Sequence, residues 1–145
     1  MKTVLTKIAF VFVFLISHNA FSQSADDIKG TWYNTEKDAK VEIFQEGDKY
    51  YGKIVWLKEP EENGKPKVDK NNSDKSKRDR PIMGMRLLRD FEFDGNAWEE
   101  GTIYDPKNGK TYSSIIKMKN PNTLEVRGYV GISLIGRTVE WTRAD

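Results

Sequence analysis

Hydrophobic and polar residues alternate along most of this chain, in short runs separated by residues typical of tight turns. Alternation with a period of two buries one face of an extended segment and leaves the other in water, so it predicts β-strands. Asp94-Gly95 and Asn108-Gly109 tolerate the positive φ angles that hairpin turns require. The predicted strands cover residues 30–35, 39–46, 49–58, 83–93, 97–104, 110–119, 122–131 and 136–143.

About eight strands joined mostly by short turns predict a single antiparallel meander. A lone sheet of this size would expose two edges and one apolar face, and closure into a barrel removes both problems. We therefore expect an all-β fold in which the meander closes into a barrel of about eight strands.

The stretch Gly30-Thr31-Trp32-Tyr33-Asn34 opens the first predicted strand after a short polar stretch. It is similar to the start of calycin barrels, the group of folds that includes lipocalins and avidins. The resemblance implies that Trp32 closes one barrel end and that Arg143, in the last strand, packs on its ring as a cation–π partner. Gly30 would let the chain bend beneath the ring. The same five residues resemble the first strand of the avidins, which would make Asn34 a ligand contact.

A longer resemblance extends over nearly the whole chain after its first residues. The motifs that carry it are "GTWYN", "KVEIFQEGDKYYGKIVWL", "RDRPIMGMRLL", "WEEGTIYDPKNGKTY" and "LEVRGYVGISLIGRTVEWTR", in that order. They resemble the bacterial family called domain of unknown function 2147. The resemblance implies an exported calycin-like barrel and leaves the activity open, because the family has no established activity.

Residues 1–22 have the layout of a secretory signal peptide. Lys2 and Lys7 make its start basic, residues 8–16 are apolar, and small residues lie near Ser22. The apolar run is shorter than the roughly 20 residues that a membrane span needs. We therefore predict no membrane span, cleavage after Ser22, and a soluble exported product, periplasmic or secreted, whose residues 23–145 form a single β-barrel domain.

Composition narrows the chemistry that this domain could perform. Beyond the leader the chain has 22 basic and 22 acidic residues, no cysteine and no histidine, because His18 lies in the leader. Balanced charge argues against a nucleic-acid partner. The absence of His and Cys excludes Ser-His-Asp and Cys-His catalysis and ordinary zinc or copper sites. We expect no cofactor, and only an oxygen-ligand calcium site stays open.

The connection at residues 59–82 is too long for a hairpin and too polar for a core. Its composition fits a solvated mobile loop, and an ordered lid over the barrel mouth is the functional alternative. Asp69, Asn71 and Ser73 imitate the start of a calcium loop. Asp74 stands where such a loop needs glycine, and Arg80 where it needs glutamate, so an Asx-type turn is the favoured interpretation.

The candidate ligand site consists of polar and aromatic residues on three predicted strands: Trp98, Glu100, Tyr104, Arg127, Tyr129 and Arg137. If these side chains point inward, they form a pocket in which an arginine binds a carboxylate or a phosphate. Strand alternation also allows Arg127 to lie on the outer face, opposite Leu124 and Val126.

Three classes of function agree with this sequence. The first is an exported barrel that binds a small anionic or polar-aromatic molecule. The second is a non-catalytic envelope or protein-interaction module that uses the 59–82 loop or an outer face. The third is an enzyme that uses carboxylates such as Glu99, Glu100 or Asp105, and the absence of His and Cys makes it the least favoured.

Overall fold

A computed structural model describes residues 22–144 of the chain. They form ten strands and two short 3₁₀ turns. The turns are Ala25–Ile28 and Lys75–Lys77. The strands are β1 (Gly30–Tyr33), β2 (Ala39–Glu46), β3 (Lys49–Leu57), β4 (Glu61–Glu62), β5 (Lys65–Pro66), β6 (Arg86–Phe93), β7 (Trp98–Asp105), β8 (Lys110–Asn120), β9 (Thr123–Tyr129) and β10 (Gly136–Arg143).

Eight of these strands close into one antiparallel barrel. Neighbours around it run in the order β1-β10-β9-β8-β7-β6-β3-β2, and β1 also pairs with β2. The remaining two strands, β4 and β5, form a small separate hairpin. The predicted all-β barrel of about eight strands is therefore confirmed, and the extra hairpin lies inside the predicted 59–82 loop.

Antiparallel order places the connections between strands at two ends of the barrel. The turns that join β2 to β3, β6 to β7 and β8 to β9 lie at one end, together with the 3₁₀ turn that precedes β1. The connections β1–β2, β3–β6, β7–β8 and β9–β10 lie at the opposite end. We call these the closed end and the open end.

Two indole groups attach the N-terminal 3₁₀ turn to the closed end. Trp32 Nε1 donates to the carbonyl of Ile28 at 2.9 Å, and Trp98 Nε1 donates to the carbonyl of Ala25 at 3.1 Å. Both indoles are fully buried, so these hydrogen bonds satisfy donors that have no access to water. The turn thereby acts as a plug for this end.

Arg143 packs over the same plug from the last strand. Its guanidinium lies 4.1 Å from the centroid of the Trp32 ring. The pairing of β1 with β10 places the two residues directly opposite each other. The guanidinium also donates to the carbonyls of Asp27, Lys29 and Pro121 at 3.0, 3.1 and 3.0 Å. The two residues therefore make the contact that the sequence predicts.

Glycines allow the strands to pack closely around the core. Gly30 has a φ of +124°, a backbone conformation that other residues rarely adopt, at the point where the chain leaves the plug and enters β1. A Cβ at Gly101 would overlap the Phe91 ring, which fills the interior beside it.

The core between the strands consists mainly of apolar side chains: Ile28, Val41, Ile43, Tyr50, Ile54, Leu88, Phe91, Ile116, Met118, Leu124, Val126 and Trp141.

The predicted signal peptide falls almost entirely on residues 1–21, outside the part of the chain that the structure describes. Within residues 22–144, no helix is long and apolar enough to cross a bilayer.

Candidate functional site

A cavity of about 980 Å³ opens at the open end of the barrel. Its depth is apolar: the side chains that line its lower walls include Val41, Ile54, Leu87, Ile103, Val126, Val139 and Trp141. These residues belong to six different barrel strands. The interior is therefore only partly filled by side chains, and the space left is large enough for a small molecule.

Charged side chains are confined to the rim of this cavity. The basic ones are Lys58, Lys67, Lys70, Lys107 and Arg137, and the acidic ones are Glu36, Asp38, Glu59, Glu62 and Asp105. Three ion pairs join members of the two groups: Lys67–Glu59 at 3.8 Å, Lys70–Glu62 at 2.7 Å and Lys107–Asp38 at 3.4 Å. The cavity is thus amphipathic, with an apolar depth and a charged mouth.

Arg137 differs from the three paired lysines of the rim. It is exposed near the start of β10, on the same face as Val139 and Trp141, which point into the cavity. Among residues 22–144, its guanidinium has no ion pair and no hydrogen bond to another side chain or to the backbone. An anionic group at the mouth could therefore bind this guanidinium without displacing a protein partner.

Arg127 lies on the other side of the barrel wall. Its Nε donates to the carbonyl of Ser133 at 2.7 Å and its Nη1 to the Thr138 hydroxyl at 2.9 Å, both outside the cavity. The neighbouring residues Val126 and Gly128 point inward, so strand alternation turns Arg127 outward. The prediction that Arg127 lines the pocket is therefore wrong, because its side chain points outward.

Trp98 and Glu100 also lie away from the cavity. The pairing of β7 with β8 shifts between Trp98 and Gly101, and Glu100 has a φ of +61° at this bulge. The extra residue changes the alternation, so that Glu100 is exposed while Gly101 points inward. Trp98 lies at the closed end, where it packs against Phe93 with ring centroids 4.7 Å apart.

Tyr104 and Tyr129 border the cavity, as Arg137 does. Tyr129 ends β9 at the mouth. The Tyr104 hydroxyl donates to Asp69 Oδ1 at 2.6 Å, and the Arg80 guanidinium lies 5.7 Å from its ring centroid. Burial and the hydrogen bond to Asp69 raise the pKa of Tyr104 to about 12. This phenol is therefore a neutral donor over the whole physiological range.

Asp69 fastens the 59–82 loop to the barrel. Its side chain is fully buried and accepts hydrogen bonds from Tyr104, from Asn72 Nδ2 at 2.8 Å and from Arg80 Nε at 3.1 Å. Farther along, Asn71 Nδ2 donates to two carbonyls of the β7–β8 turn. The loop has its own hydrogen-bonded structure and forms part of the cavity wall.

The segment whose spacing resembles the start of a calcium loop, from Asp69 to Ser73, forms a hydrogen-bonded turn. Asn72 N donates to the Asp69 carbonyl at 3.0 Å, and the Asn72 amide side chain donates to the Asp69 carboxylate, so the segment forms a turn of its own. Within residues 22–144, no three or more acidic or histidine side chains come together as metal ligands.

Asn34 and the candidate catalytic carboxylates occupy separate places. The Asn34 amide oxygen accepts hydrogen bonds from the backbone N–H groups of Asp38 and Ala39 at 3.1 Å each, which fixes the β1–β2 connection at the rim.

The candidate catalytic carboxylates do not converge. Glu100 lies on the β7 bulge, whereas Asp105 lies at the mouth. The two residues are five positions apart along the strand, which corresponds to roughly 16 Å. Burial and the charge of Asp94 raise the pKa of Glu99, which neighbours Glu100 on the bulge.

The sequence patterns missed two parts of this site. The first is the apolar cavity wall, because an inward strand residue looks the same in the sequence whether it faces a filled interior or a cavity. The second part is the β9–β10 connection. Its hydrophobic run at residues 130–135 was the signal, since turns are usually polar.

An eight-stranded antiparallel barrel that is plugged at one end and opens onto an apolar cavity at the other is a lipocalin-like barrel. Residues 30–143 match the family described as "Uncharacterized protein conserved in bacteria (DUF2147)", and the chain belongs to this family. The resemblance that the motifs indicate is thereby confirmed. No curated protein matches the chain.

A solved structure supports the same fold. Protein HP1028 from Helicobacter pylori, described as belonging to the lipocalin family, superimposes on the chain with a TM-score of 0.70. The two sequences are 24% identical, and the match covers 81% of this chain and 82% of that chain. At this identity the likeness concerns the fold, not the ligand.

Proposed function

We propose that this protein binds a small amphipathic molecule, with its apolar part inside the barrel and an anionic group at the mouth. The observation that carries the proposal is the cavity of about 980 Å³, which is apolar in its depth and charged only at its rim. Interiors of small barrels are usually filled by side chains, so an unfilled apolar interior that opens to solvent favours a ligand over a purely structural role.

Arg137 is the proposed partner of the anionic group. It lies at the mouth on the inward face of β10 and, among the described residues, has no ion-pair partner. Charge-assisted hydrogen bonds to an arginine contribute roughly 1.5–3 kcal/mol. Tyr104 and Tyr129 border the same opening and suit an aromatic or polar part of the ligand. The ligand class is therefore an apolar or aromatic body that carries a carboxylate, sulfonate or phosphate.

The test uses the anionic aromatic probe 8-anilinonaphthalene-1-sulfonate with the protein lacking residues 1–22. Fluorescence titration should show saturable binding. In Arg137→Met the affinity should fall roughly 10- to 100-fold, which corresponds to the loss of one such charged hydrogen bond. Added salt should weaken binding to the wild type more than to the variant, because only the wild type has a charge attraction that salt can screen.

Arg127→Met is the matched control. The two arginines lie on adjacent strands near the open end, but Arg127 faces outward and Arg137 inward. A fall in affinity for Arg137→Met alone, with an unchanged melting temperature, supports the proposal. Equal losses in both variants, or no saturable binding by the wild type, would contradict it.

We also propose that the protein acts outside the cytoplasm. The support is the basic start and the short apolar run of residues 1–22, followed by small residues. An exported binding barrel would meet its ligand in the periplasm or in the medium.

A further inference from the structure

Six residues that join β9 to β10 form an apolar projection at the mouth of the barrel. We call residues 130–135 the mouth loop. Val130, Ile132, Leu134 and Ile135 are 71%, 58%, 86% and 69% exposed. Four aliphatic side chains exposed to this degree within six residues are unusual on a protein surface, and contiguous exposed apolar groups mark interaction sites.

The flanks of the mouth loop are basic. Between Glu125 and Glu140 the chain contains two arginines and no acidic residue. Arg127 precedes the loop and bonds its backbone at Ser133, and Arg137 follows it. Tyr129 stands directly before the first exposed valine. An apolar tip next to a tyrosine and two arginines has the composition of segments that enter the interface of an anionic bilayer.

We propose that the mouth loop docks into the surface of an anionic lipid bilayer and that the amphipathic ligand passes between bilayer and cavity there; this second part rests on the proposed function. Val130 and Ile135 belong to the mouth loop and also line the cavity. An apolar ligand could therefore move from the bilayer into the barrel along apolar side chains, without complete exposure to water.

The small size of the patch favours a lipid surface over a second protein chain. Even aromatic side chains bury only roughly 150–250 Å² each. At roughly 150 Å² each, the low end of that range, and at 58–86% exposure, the four aliphatic side chains offer only roughly 430 Å². This area falls short of the roughly 800 Å² per partner that a stable protein interface buries. A bilayer requires no complementary surface of fixed shape, since a few inserted apolar groups and nearby basic residues suffice for reversible binding.

Acidic groups near the mouth leave the charge argument intact. Glu36 and Asp38 lie in the β1–β2 connection, which contacts β10 at the Glu140 carbonyl. Asp38 is paired with Lys107 at 3.4 Å, so it adds little net negative charge. The two arginines that flank the mouth loop remain the nearest charges along the chain, and both are positive.

The experiment is co-sedimentation of the protein lacking residues 1–22 with vesicles of two compositions. One contains phosphatidylcholine alone, and the other contains equal parts of phosphatidylcholine and phosphatidylglycerol. The double variant Ile132→Ser/Leu134→Ser removes two exposed side chains that do not line the cavity. Val55→Ser/Met83→Ser is the control, because these residues are 38% and 43% exposed and lie outside the mouth loop.

We expect the wild type to bind the anionic vesicles more tightly than the neutral ones. The mouth-loop variant should lose roughly tenfold or more of this binding, and the control should retain it. Absence of vesicle binding by the wild type, or equal binding by the two double variants, would overturn the docking. A wild-type dimer that the mouth-loop variant converts to a monomer in light scattering would identify a second copy as the occupant instead.

Probe titration without vesicles separates this inference from the proposed function. The mouth-loop variant should bind 8-anilinonaphthalene-1-sulfonate as the wild type does, because Ile132 and Leu134 lie outside the cavity. Normal probe binding with no vesicle binding refutes the docking and leaves the proposed function standing. Vesicle binding without any probe binding refutes the ligand route and leaves the docking alone.

Discussion

Removal of the Trp32 indole should destabilise the barrel more than removal of any single contact at its rim. The side chain is fully buried, packs under Arg143 and donates a hydrogen bond to the Ile28 carbonyl at 2.9 Å. Truncation of a buried tryptophan to alanine costs about 3–5 kcal/mol of the free energy of unfolding. Trp32→Phe retains a ring but not the N–H donor, so it should cost less.

Arg143→Ala should cost less than Trp32→Ala, about 2 kcal/mol. The guanidinium loses three hydrogen bonds to backbone carbonyls, but it lies partly in water, where each is worth less than a buried one. The two losses should not add, because the guanidinium lies 4.1 Å from the indole centroid. A cation–π contact of this kind predicts a coupling energy of about 0.5–2 kcal/mol.

A double-mutant cycle measures this coupling. The free energies of unfolding of the wild type, Trp32→Ala, Arg143→Ala and the double variant come from urea titrations followed by circular dichroism. Independent sites add within about 0.3–0.5 kcal/mol. A coupling energy below that limit, with unchanged urea dependence in all four proteins, would refute the contribution of the contact to stability.

Three further predictions concern other regions. The pKa values of Tyr50 and Tyr104 are each raised to about 12, by burial first and then by hydrogen bonds to Asp26 and Asp69. Because the folded state favours the neutral phenols, their contribution to the free energy of unfolding is complete below pH 10 and is lost between about pH 10 and pH 12. In thermal melts across this pH range, each of the two Tyr→Phe variants should lose less stability than the wild type. Gly101→Ala should lower the free energy of unfolding by about 1–3 kcal/mol, because the added Cβ would overlap the Phe91 ring. Gly128→Ala is the control and should cost less in a urea titration, because its Cβ would lie 3.5 Å from the nearest atom. Mass spectrometry of the exported protein should find an N-terminus at the residue after Ser22, and a full-length mass in that fraction would contradict the processing.

The barrel could be predicted from the sequence because its local signals agree with one another. Strand alternation, glycine-containing turns and the pair Trp32 and Arg143 all indicate the same closed meander, and the observed strands follow the predicted ones with differences of a few residues at their ends. The largest difference is the start of β6 at Arg86 instead of residue 83. The intervening residues instead join the loop to β3, where Gly84 N donates to the Ile54 carbonyl.

The candidate site was harder to predict, because the orientation of its side chains depends on alternation over many residues. One bulge at Glu100 reverses the parity of β7, and no residue type in "WEEG" reports it. Arg127 and Arg137 look equivalent in the sequence, yet their positions in β9 and β10 turn one outward and the other inward. The 59–82 loop has a disordered composition, and the long-range contacts of Asp69 with Tyr104 and of Asn71 with the β7–β8 turn, which hold it in place, leave no local pattern in the sequence.

The pairing of β1 with β10 has a consequence for how the chain folds. It joins the first strand of the barrel to the last, and the Arg143 guanidinium reaches a backbone carbonyl 116 residues earlier in the chain. Such distant pairing must overcome a large loop-closure entropy, which makes folding slow. A ribosome-bound chain has no closed barrel until β10 emerges, because β1 lacks one of its two neighbours until then. A chain that ends before Gly136 should accordingly lack cooperative thermal unfolding in circular dichroism, and cooperative melting of that truncated chain would show that closure is dispensable.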